Sequence, residues 1–180
     1  MAQIRSMEAR VGRTNQSKFF LSCQYLPSQT RLTPDDIAGY GSKGERLVAG
    51  IVPLSPDKTK VLMIQSAGSG GWVLPKGGWE TDEATAQQAA QREAWEEAGV
   101  VCTVQRDLGV IPDMRPPALV TAQAPKASYQ FFEATVNREE AQWPEMHKRT
   151  RRWVGYVEAA QALACRPEIL EALNRSSMIR

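Results

Sequence analysis

Three glutamates close together in the sequence are the residues whose types and spacing could carry chemistry. Glu93, Glu96 and Glu97 lie in an alanine- and glutamine-rich run that predicts a helix. Because residues three or four positions apart lie on one side of a helix, the three carboxylates share a face. Their negative charges repel one another, and Arg92 can offset only part of that repulsion. The pattern therefore indicates a bound cation, and oxygen ligands favour a hard divalent ion such as Mg²⁺.

A short apolar strand and a glycine pair precede this helix. The strand is predicted at 72–74, and Gly77-Gly78 predicts a turn. Thr81 or Asp82 is a candidate N-cap, and Gly99 predicts the C-terminal end of the helix. A bare E-x-x-E-E pattern would equally suit a solvated helix face. The whole segment together favours a site for a metal ion and a diphosphate.

This segment resembles the Nudix box, the signature of hydrolases that cleave a diphosphate linked to another moiety. The matching positions are Gly78, Arg92, Glu93, Ala94, Glu96, Glu97, Gly99 and Val100. The sequence departs from the box at one acidic position, where it has Ala84, with Glu83 one place earlier. That departure removes one acidic residue outside the core metal-binding set. The resemblance implies an α/β/α sandwich in which a mixed β-sheet lies between helices.

Composition and charge narrow the class of protein. A chain of 180 residues is long enough for one domain with a single sizeable core. A net charge of +2 excludes a global field that would attract nucleic acid or membranes, so nucleic acid is not an expected partner. The three cysteines are widely spaced, which suits neither a disulfide framework nor a zinc site and indicates a reducing compartment.

The chain also lacks an apolar run of about 18 residues for a membrane span and an apolar signal-peptide stretch near its start. We therefore expect the protein in the cytoplasm or nucleus. We also expect a monomer.

The remaining pattern divides the chain into an N-terminal arm and one domain. Residues 1–45 are polar, partly basic and rich in turn residues, and residues 46–180 form the domain. Its elements have the order of an α/β or α+β fold. The predicted strands are 46–54 and 60–65, which form a hairpin, followed by 100–104, 108–111, 128–136 and 153–156. Closing helices are predicted at 157–164 and 167–174.

Basic residues from distant segments could grip a substrate with many phosphates. A guanidinium binds a phosphate bidentately, and an ammonium acts as a point charge. A basic cluster precedes Trp153, for which a strand edge kept soluble by charge is the alternative explanation. The candidates are His147, Lys148 and Arg149 in that cluster, with Arg10, Lys18, Arg46, Lys76 and Arg166 elsewhere.

Motifs over nearly the full chain are similar to those of the fungal diphosphoinositol polyphosphate phosphohydrolases. They are E-A-R-V-G-R at 8–13, R-L-V-A-G at 46–50, L-P-K-G-G-W-E-T-D-E at 74–83, D-M-R-P-P at 113–117, H-K-R-x-R at 147–151 and E-A-L-N-R-S at 171–176. The resemblance implies removal of the β-phosphate from diphosphoinositol polyphosphates. It also implies diadenosine polyphosphates and inorganic polyphosphate as further substrates.

The resemblance implies a role for individual residues. Glu93 and Glu97 would be the main metal ligands, and Glu96 a third ligand or the base that activates water. The base role stays open between Glu96 and Glu97. A carbonyl of Gly77 or Gly78 would complete the shell of Mg²⁺, or of Mn²⁺ or another divalent cation, and Arg92 would orient a glutamate. The positions implied to contact substrate phosphates are Arg46, Ser66, Lys76, Arg149 and Arg166.

Two alternatives concern the activity itself. A nucleotide-directed hydrolase, acting on dinucleoside polyphosphates or capped RNA, would need aromatic rings over the site, for which Trp72 and Trp79 are candidates. A non-catalytic domain that only binds polyphosphates is the other alternative, and the intact glutamate set argues against it. His147, the only histidine, is a less favoured candidate base than it is a phosphate contact or a plain surface residue.

Overall fold

The computed structural model describes residues 39–68, 70–122 and 124–180. Most of the predicted arm at 1–45 lies outside these ranges, so the domain boundary at residue 45 stays a prediction. Arg10 and Lys18, the two candidate phosphate contacts of that arm, also lie outside the described residues.

A mixed sheet forms the middle of the fold, and its central strand is β1 (Arg46–Leu54). Every residue from Val48 to Leu54 is buried, as expected for a strand that is covered on both faces. This strand pairs antiparallel with β2 (Val61–Gln65), which confirms the predicted hairpin, and with β4 (Lys76–Gly78). On its other side it pairs parallel with β6 (Ala127–Glu139) over nine residues.

The other strands extend the sheet in both directions. The strands β3 (Trp72–Val73) and β7 (Arg151–Val154) pair with β2, and β5 (Val100–Pro112) forms the edge beside β6. The described strands number seven, in a path β3-β2-β1-β6-β5 with β4 and β7 attached. Within the described ranges, three helices, α1 (Ala86–Ala98), α2 (Tyr156–Ala162) and α3 (Pro167–Arg175), complete the predicted α/β/α sandwich. A 3-10 turn covers Pro117–Leu119.

Helix α1 packs on the sheet through small side chains. Its buried alanines recur three or four positions apart, which gives the helix one apolar face: Ala86, Ala89, Ala90, Ala94 and Ala98. Gly99 ends the helix in the left-handed conformation with φ 62°, and its N–H donates to the carbonyls of Ala94 and Trp95. The predicted C-terminal end is therefore confirmed, and the last turns of α1 lie beside β4.

The predicted start of α1 is wrong. Thr85, rather than Thr81 or Asp82, is the N-cap, and its hydroxyl accepts a hydrogen bond from the Gln88 N–H. A turn precedes it, because the Glu83 N–H donates to the Glu80 carbonyl while the Glu83 carboxylate accepts from the Glu80 N–H. These local bonds satisfy the backbone without a helix.

One turn prediction and two strand predictions also need correction. Gly77 and Gly78 do not form a turn but belong to β4, where they pair with Ala49 and Val48. The segments 100–104 and 108–111 are one strand, which β-bulges interrupt, and Gly109 within it has φ 81°. The last strand ends at Val154, because Gly155 already caps α2. No helix among the described residues is long and apolar enough to span a membrane.

Candidate active site

A cleft of about 400 Å³ opens where β1, β4, β6, α1 and the start of α3 meet. Acidic side chains come from α1, and basic side chains come from three other segments. The lining residues are Arg46, Val48, Lys76, Gly77, Gly78, Glu93, Glu97, Tyr129 and Arg166.

Two of the three predicted glutamates reach this cleft. The Glu93 carboxylate lies directly against the Gly77 backbone, where a side chain at residue 77 would collide with it. Glu97 is 6% exposed and accepts a hydrogen bond of 2.9 Å from the Lys76 N–H. The Glu96 side chain does not line the cleft but pairs with Arg92. Glycine at 77 is therefore required for the close approach of a carboxylate to β4.

Arg92 connects the acidic residues to one another. Its Nη1 donates to Glu93 at 2.8 Å and to Glu96 at 3.0 Å, and its Nη2 donates to the Gly78 carbonyl at 2.8 Å. Its Nε donates to Glu83 at 2.7 Å, and the Glu83 side chain is only 7% exposed. Arg92 thus has an acidic partner in Glu83, although Ala84 stands at the acidic position of the box.

Burial controls the charge of the carboxylates. It raises the pKa of Glu93 to about 7, against an ordinary value of 4.5, despite the opposing charge of Arg92. Burial also raises the pKa of Glu96 and of Glu97. It would lower the pKa of Arg92, but the hydrogen bond to Glu83 and the charge of Glu93 raise it overall. Burial therefore disfavours the charged form of Glu93 and Glu97, the two residues that form the acidic wall of the cleft, and a bound cation would favour it.

The residues present fit a hard divalent cation. The donors are all oxygens, from the carboxylates of Glu93 and Glu97 and from the backbone at Gly77, and they border one cleft. In the structure, guanidinium groups from Arg92 and Arg149 occupy these carboxylates. Among the described residues, no three acidic, histidine or cysteine side chains are already grouped as a ligand set. Arg92 contacts only one of the two oxygens of Glu93, so the other oxygen is available to a cation.

Three predicted basic residues make up what we call the basic wall of the cleft. Arg46, Lys76 and Arg166 all line the cleft, although they are far apart in the sequence. The Arg46 Nε is buried and has no hydrogen-bond partner among the described residues. Burial lowers the pKa of Lys76 despite the neighbouring charge of Glu97. These cations are thus only partly compensated by protein groups.

Arg149 lies beside the acidic wall. Its Nη2 lies 2.6 Å from Glu97, and its Nε donates to Glu145 at 2.6 Å. Glu145 belongs to the segment between β6 and β7, and its N–H donates to the Glu96 carbonyl at the end of α1. This segment therefore holds Arg149 against a candidate metal ligand.

The remaining predicted contacts do not line the cleft. Ser66 lies in the loop between β2 and β3, where its N–H donates to the Gly71 carbonyl. His147 and Lys148 are exposed, and Lys148 pairs with Glu145 at 3.3 Å. A substrate role for these three residues stays a prediction.

Sequence reasoning did not identify several residues of the site. The sequence pattern indicates only a packing role for Tyr129, and it does not single out Val48, Glu145 or Glu168, although Glu168 holds the Nε of Arg166 at 2.7 Å. The spacing of Glu145 and Arg149 could have indicated an ion pair, but the contact of Arg149 with Glu97 depends on how the chain folds.

The fold and this acidic cleft are those of a phosphoanhydride hydrolase with the Nudix architecture. The chain matches the NUDIX domain family over residues 44–173. It therefore belongs to the Nudix hydrolase family, whose members typically use divalent cations such as Mg²⁺.

Proteins of Arabidopsis thaliana are similar to this chain in sequence. Nudix hydrolase 16, mitochondrial, is 38% identical over 151 residues, which cover 72% of this chain and 78% of that protein. Nudix hydrolase 13, mitochondrial, is 37% identical over 145 residues, which cover 71% of this chain and 70% of that protein.

Solved structures are similar in fold. A NUDIX hydrolase from Nitrosomonas europaea has a TM-score of 0.61 at 17% identity and covers 73% of this chain and 87% of its own. The C. elegans Ap4A hydrolase has a TM-score of 0.54 at 24% identity and covers 72% of this chain and 93% of its own. At these identities the likeness shows the Nudix fold.

Proposed function

We propose that this Nudix hydrolase removes the β-phosphate from diphosphoinositol polyphosphates, with diadenosine polyphosphates and inorganic polyphosphate as further substrates. One observation carries this proposal. The carboxylates of Glu93 and Glu97 line a single cleft together with the basic side chains of Arg46, Lys76 and Arg166. The similarity to the fungal diphosphoinositol polyphosphate phosphohydrolases, in motifs from both ends of the chain, supports the same substrate class.

The basic wall suits a substrate with several phosphates. An oxygen from a phosphate would satisfy the buried Arg46 Nε, since buried donors are nearly always hydrogen-bonded. The guanidinium of Arg166 offers two further nitrogens, because its Nε is already bound to Glu168. Dianionic groups near Lys76 would also favour its charged form, which burial disfavours. Several phosphates on one ring can meet all three residues at once.

The acidic wall suits hydrolysis of the anhydride. When bound by Glu93, Glu97 and the Gly77 backbone, a divalent cation neutralises charge on the diphosphate oxygens. A carboxylate whose pKa is raised towards neutrality can accept the proton of a water molecule, and burial raises the pKa of both Glu96 and Glu97. The oxygen of that water forms the new bond to phosphorus, and the bridging oxygen leaves with its electron pair. Arg92 orients Glu93 and Glu96 by ion pairing.

A nucleotide-directed activity has less support from the site. The ring of Trp72 is covered by the Arg152 guanidinium at 4.1 Å, and the Trp79 Nε1 donates to the Glu83 carbonyl. Both side chains pack against the core. Tyr129 is the aromatic residue among the described lining residues, and it is 5% exposed. The described part of the cleft therefore offers no open ring on which a base could stack.

A side-by-side assay with Mg²⁺ tests this proposal. Purified protein is given diphosphoinositol pentakisphosphate, diadenosine hexaphosphate or linear polyphosphate at matched concentrations, and products are followed by ³¹P NMR. We expect release of the β-phosphate from the inositol substrate with the highest kcat/KM of the three. Turnover of the dinucleotide alone would favour the nucleotide-directed alternative. Tight binding of all three without turnover would favour a non-catalytic polyphosphate-binding domain.

The setting of the protein is part of the same proposal. We propose that it acts in the cytoplasm or nucleus, as cysteine usage predicts, and that it is a monomer. The plant relatives carry "mitochondrial" in their names, which describes those proteins. Sedimentation of the purified protein would test whether it is a monomer. Fluorescence microscopy of the tagged protein would test its location in the cell.

A further inference from the structure

We propose that Glu168 is a positioning residue that directs the Arg166 guanidinium into the cleft and so determines how tightly a phosphate-rich ligand binds. This inference rests on the proposed function, because it assumes that Arg166 contacts substrate phosphates. It assigns a role to a side chain that does not itself line the cleft.

The contact between the two residues leaves one edge of the guanidinium available. Arg166 is the residue that caps the start of α3, and its side chain is 35% exposed and lines the cleft. Its Nε donates to Oε1 of Glu168 at 2.7 Å. A guanidinium has a fixed fork, so fixing Nε also fixes the direction of the two Nη groups. Those groups are the ones that can bind a phosphate bidentately.

The burial of Glu168 shows that this contact is unusual. The residue is fully buried, with 0% exposure, in the first turn of α3. Its second oxygen, Oε2, has no hydrogen-bond partner among the described residues. Burial of a carboxylate is costly unless it is paired and fully hydrogen-bonded, so this side chain is a poor choice for stability alone. The hydrogen bond that it accepts comes from Arg166, which lines the cleft.

A simpler explanation is that an acidic residue in the first turn stabilises the helix dipole. That effect needs neither burial nor contact with Arg166, since an exposed carboxylate would supply it. The two explanations differ for the substitution Glu168→Gln: positioning of Arg166 predicts that ligand binding is kept, whereas the helix dipole predicts only a loss of stability. The glutamine side chain of that variant keeps an oxygen acceptor for the Arg166 Nε but loses the charge that interacts with the dipole.

The same helix offers a matched control. Glu171 accepts a hydrogen bond of 2.8 Å from the Nε of Arg175, so the same kinds of atom pair here as in the Glu168 contact, although Glu171 is exposed. Both of those side chains lie outside the cleft. Loss of Glu171 should therefore remove the hydrogen bond from Arg175 without any change in ligand binding.

The test is a binding experiment with inositol hexakisphosphate, which has no anhydride and is measured by calorimetry on metal-free protein. The variants are Glu168→Met, Glu168→Gln, Arg166→Met, the double variant Arg166→Met with Glu168→Met, and Glu171→Met. Circular dichroism and thermal unfolding check that each one folds. We expect Glu168→Met to weaken binding about tenfold, which is the loss of one well-placed charged hydrogen bond. We expect Glu168→Gln and Glu171→Met to bind within about twofold of the wild type.

The double variant separates positioning from a structural effect. If Glu168 acts through Arg166, Glu168→Met should not weaken binding further once Arg166 is absent. An equal loss in both backgrounds, or unchanged binding in Glu168→Met, would overturn the inference and leave the proposed function intact. A wild-type protein that binds inositol hexakisphosphate no better than sulfate would contradict the proposed function, and the inference would fall with it.

Discussion

Individual side chains at the end of α1 divide into two hydrogen-bonded groups. Arg92 holds Glu93 and Glu96, whereas Glu97 turns towards β4 and Arg149. The spacing of the glutamates predicts a shared face but not this division, because the partners come from residues 76, 83 and 149. Among the three glutamates, Glu97 is the most buried, and it lines the cleft. We therefore expect its carboxylate to matter most for hydrolysis.

Glu97→Gln should abolish hydrolysis while the fold remains intact. Glutamine keeps an acceptor for the Lys76 N–H but cannot act as a charged ligand or as a base. Turnover with Mg²⁺ and circular dichroism measure the two parts of this prediction. Glu96→Gln is the matched variant, and we expect it to lose less kcat because Glu96 does not line the cleft. Normal turnover by Glu97→Gln would rule out the carboxylate mechanism.

Glu83→Ala should lower kcat about tenfold or more with little change in KM. It removes the two hydrogen bonds that hold Arg92, at Nε and at Nη2, and so loosens Glu93 and Glu96. Ala84→Glu is the control, since Ala84 is exposed and Arg92 already has its partner. Kinetics that stay at the wild-type level in Glu83→Ala would show that Arg92 needs no support from this residue.

At the scale of elements, sequence signals are reliable where local chemistry decides the structure. Gly99 ends α1 as predicted, because a left-handed residue closes the helix. The predicted helix start is wrong, since two plausible caps at 81 and 82 compete with Thr85. Hydrogen bonds within the turn at 80–83 keep the helix from starting earlier, and the pattern of apolar residues does not predict these bonds. The sequence predicts two strands in place of β5, because β-bulges interrupt the alternation of apolar and polar residues.

Gly99→Ala should destabilise the protein more than Gly44→Ala. Both glycines have positive φ, at 62° and 76°, which costs alanine about 1 kcal/mol. Only at Gly99 would a Cβ also lie 2.7 Å from the Arg151 Nη1 and from the Trp143 ring, whereas nothing lies within 4 Å at Gly44. Urea unfolding compares the two variants. Equal losses would show that the packing of Trp143 and Arg151 over the end of α1 adapts freely.

At the scale of the whole molecule, the cleft joins residues that are distant in sequence. Arg46, Lys76, Glu93 and Arg166 come from four different elements and meet at one place. Composition and periodicity cannot bring them together, and only resemblance to a family predicts that they converge. The same resemblance also selects Ser66 and Arg149, which do not line the cleft.

The acidic wall should make global stability depend on pH when no metal is present. The pKa of Glu93 is about 7 in the folded protein and 4.5 ordinarily, so the folded state binds more protons between these values. The free energy of unfolding therefore falls as the pH rises from about 5 to about 8. Asp113, whose pKa the hydrogen bond from Arg115 lowers to about 2, acts in the opposite direction only at more acidic pH.

Urea unfolding of chelator-treated protein measures this dependence. Glu93→Gln should reduce it, and so should Mg²⁺ added to the wild type if Glu93 is a ligand. A wild-type protein that becomes more stable as the pH rises over this range would contradict the raised pKa of Glu93.

The central claim is that the acidic wall performs the hydrolysis while the basic wall selects a phosphate-rich substrate. The most direct test is the kcat/KM of wild type and of Arg46→Gln with Arg166→Gln, each on diphosphoinositol pentakisphosphate and on diadenosine triphosphate with Mg²⁺. We expect the double variant to lose about a hundredfold on the inositol substrate and less than about fivefold on the dinucleotide. Equal losses on the two substrates would contradict the account.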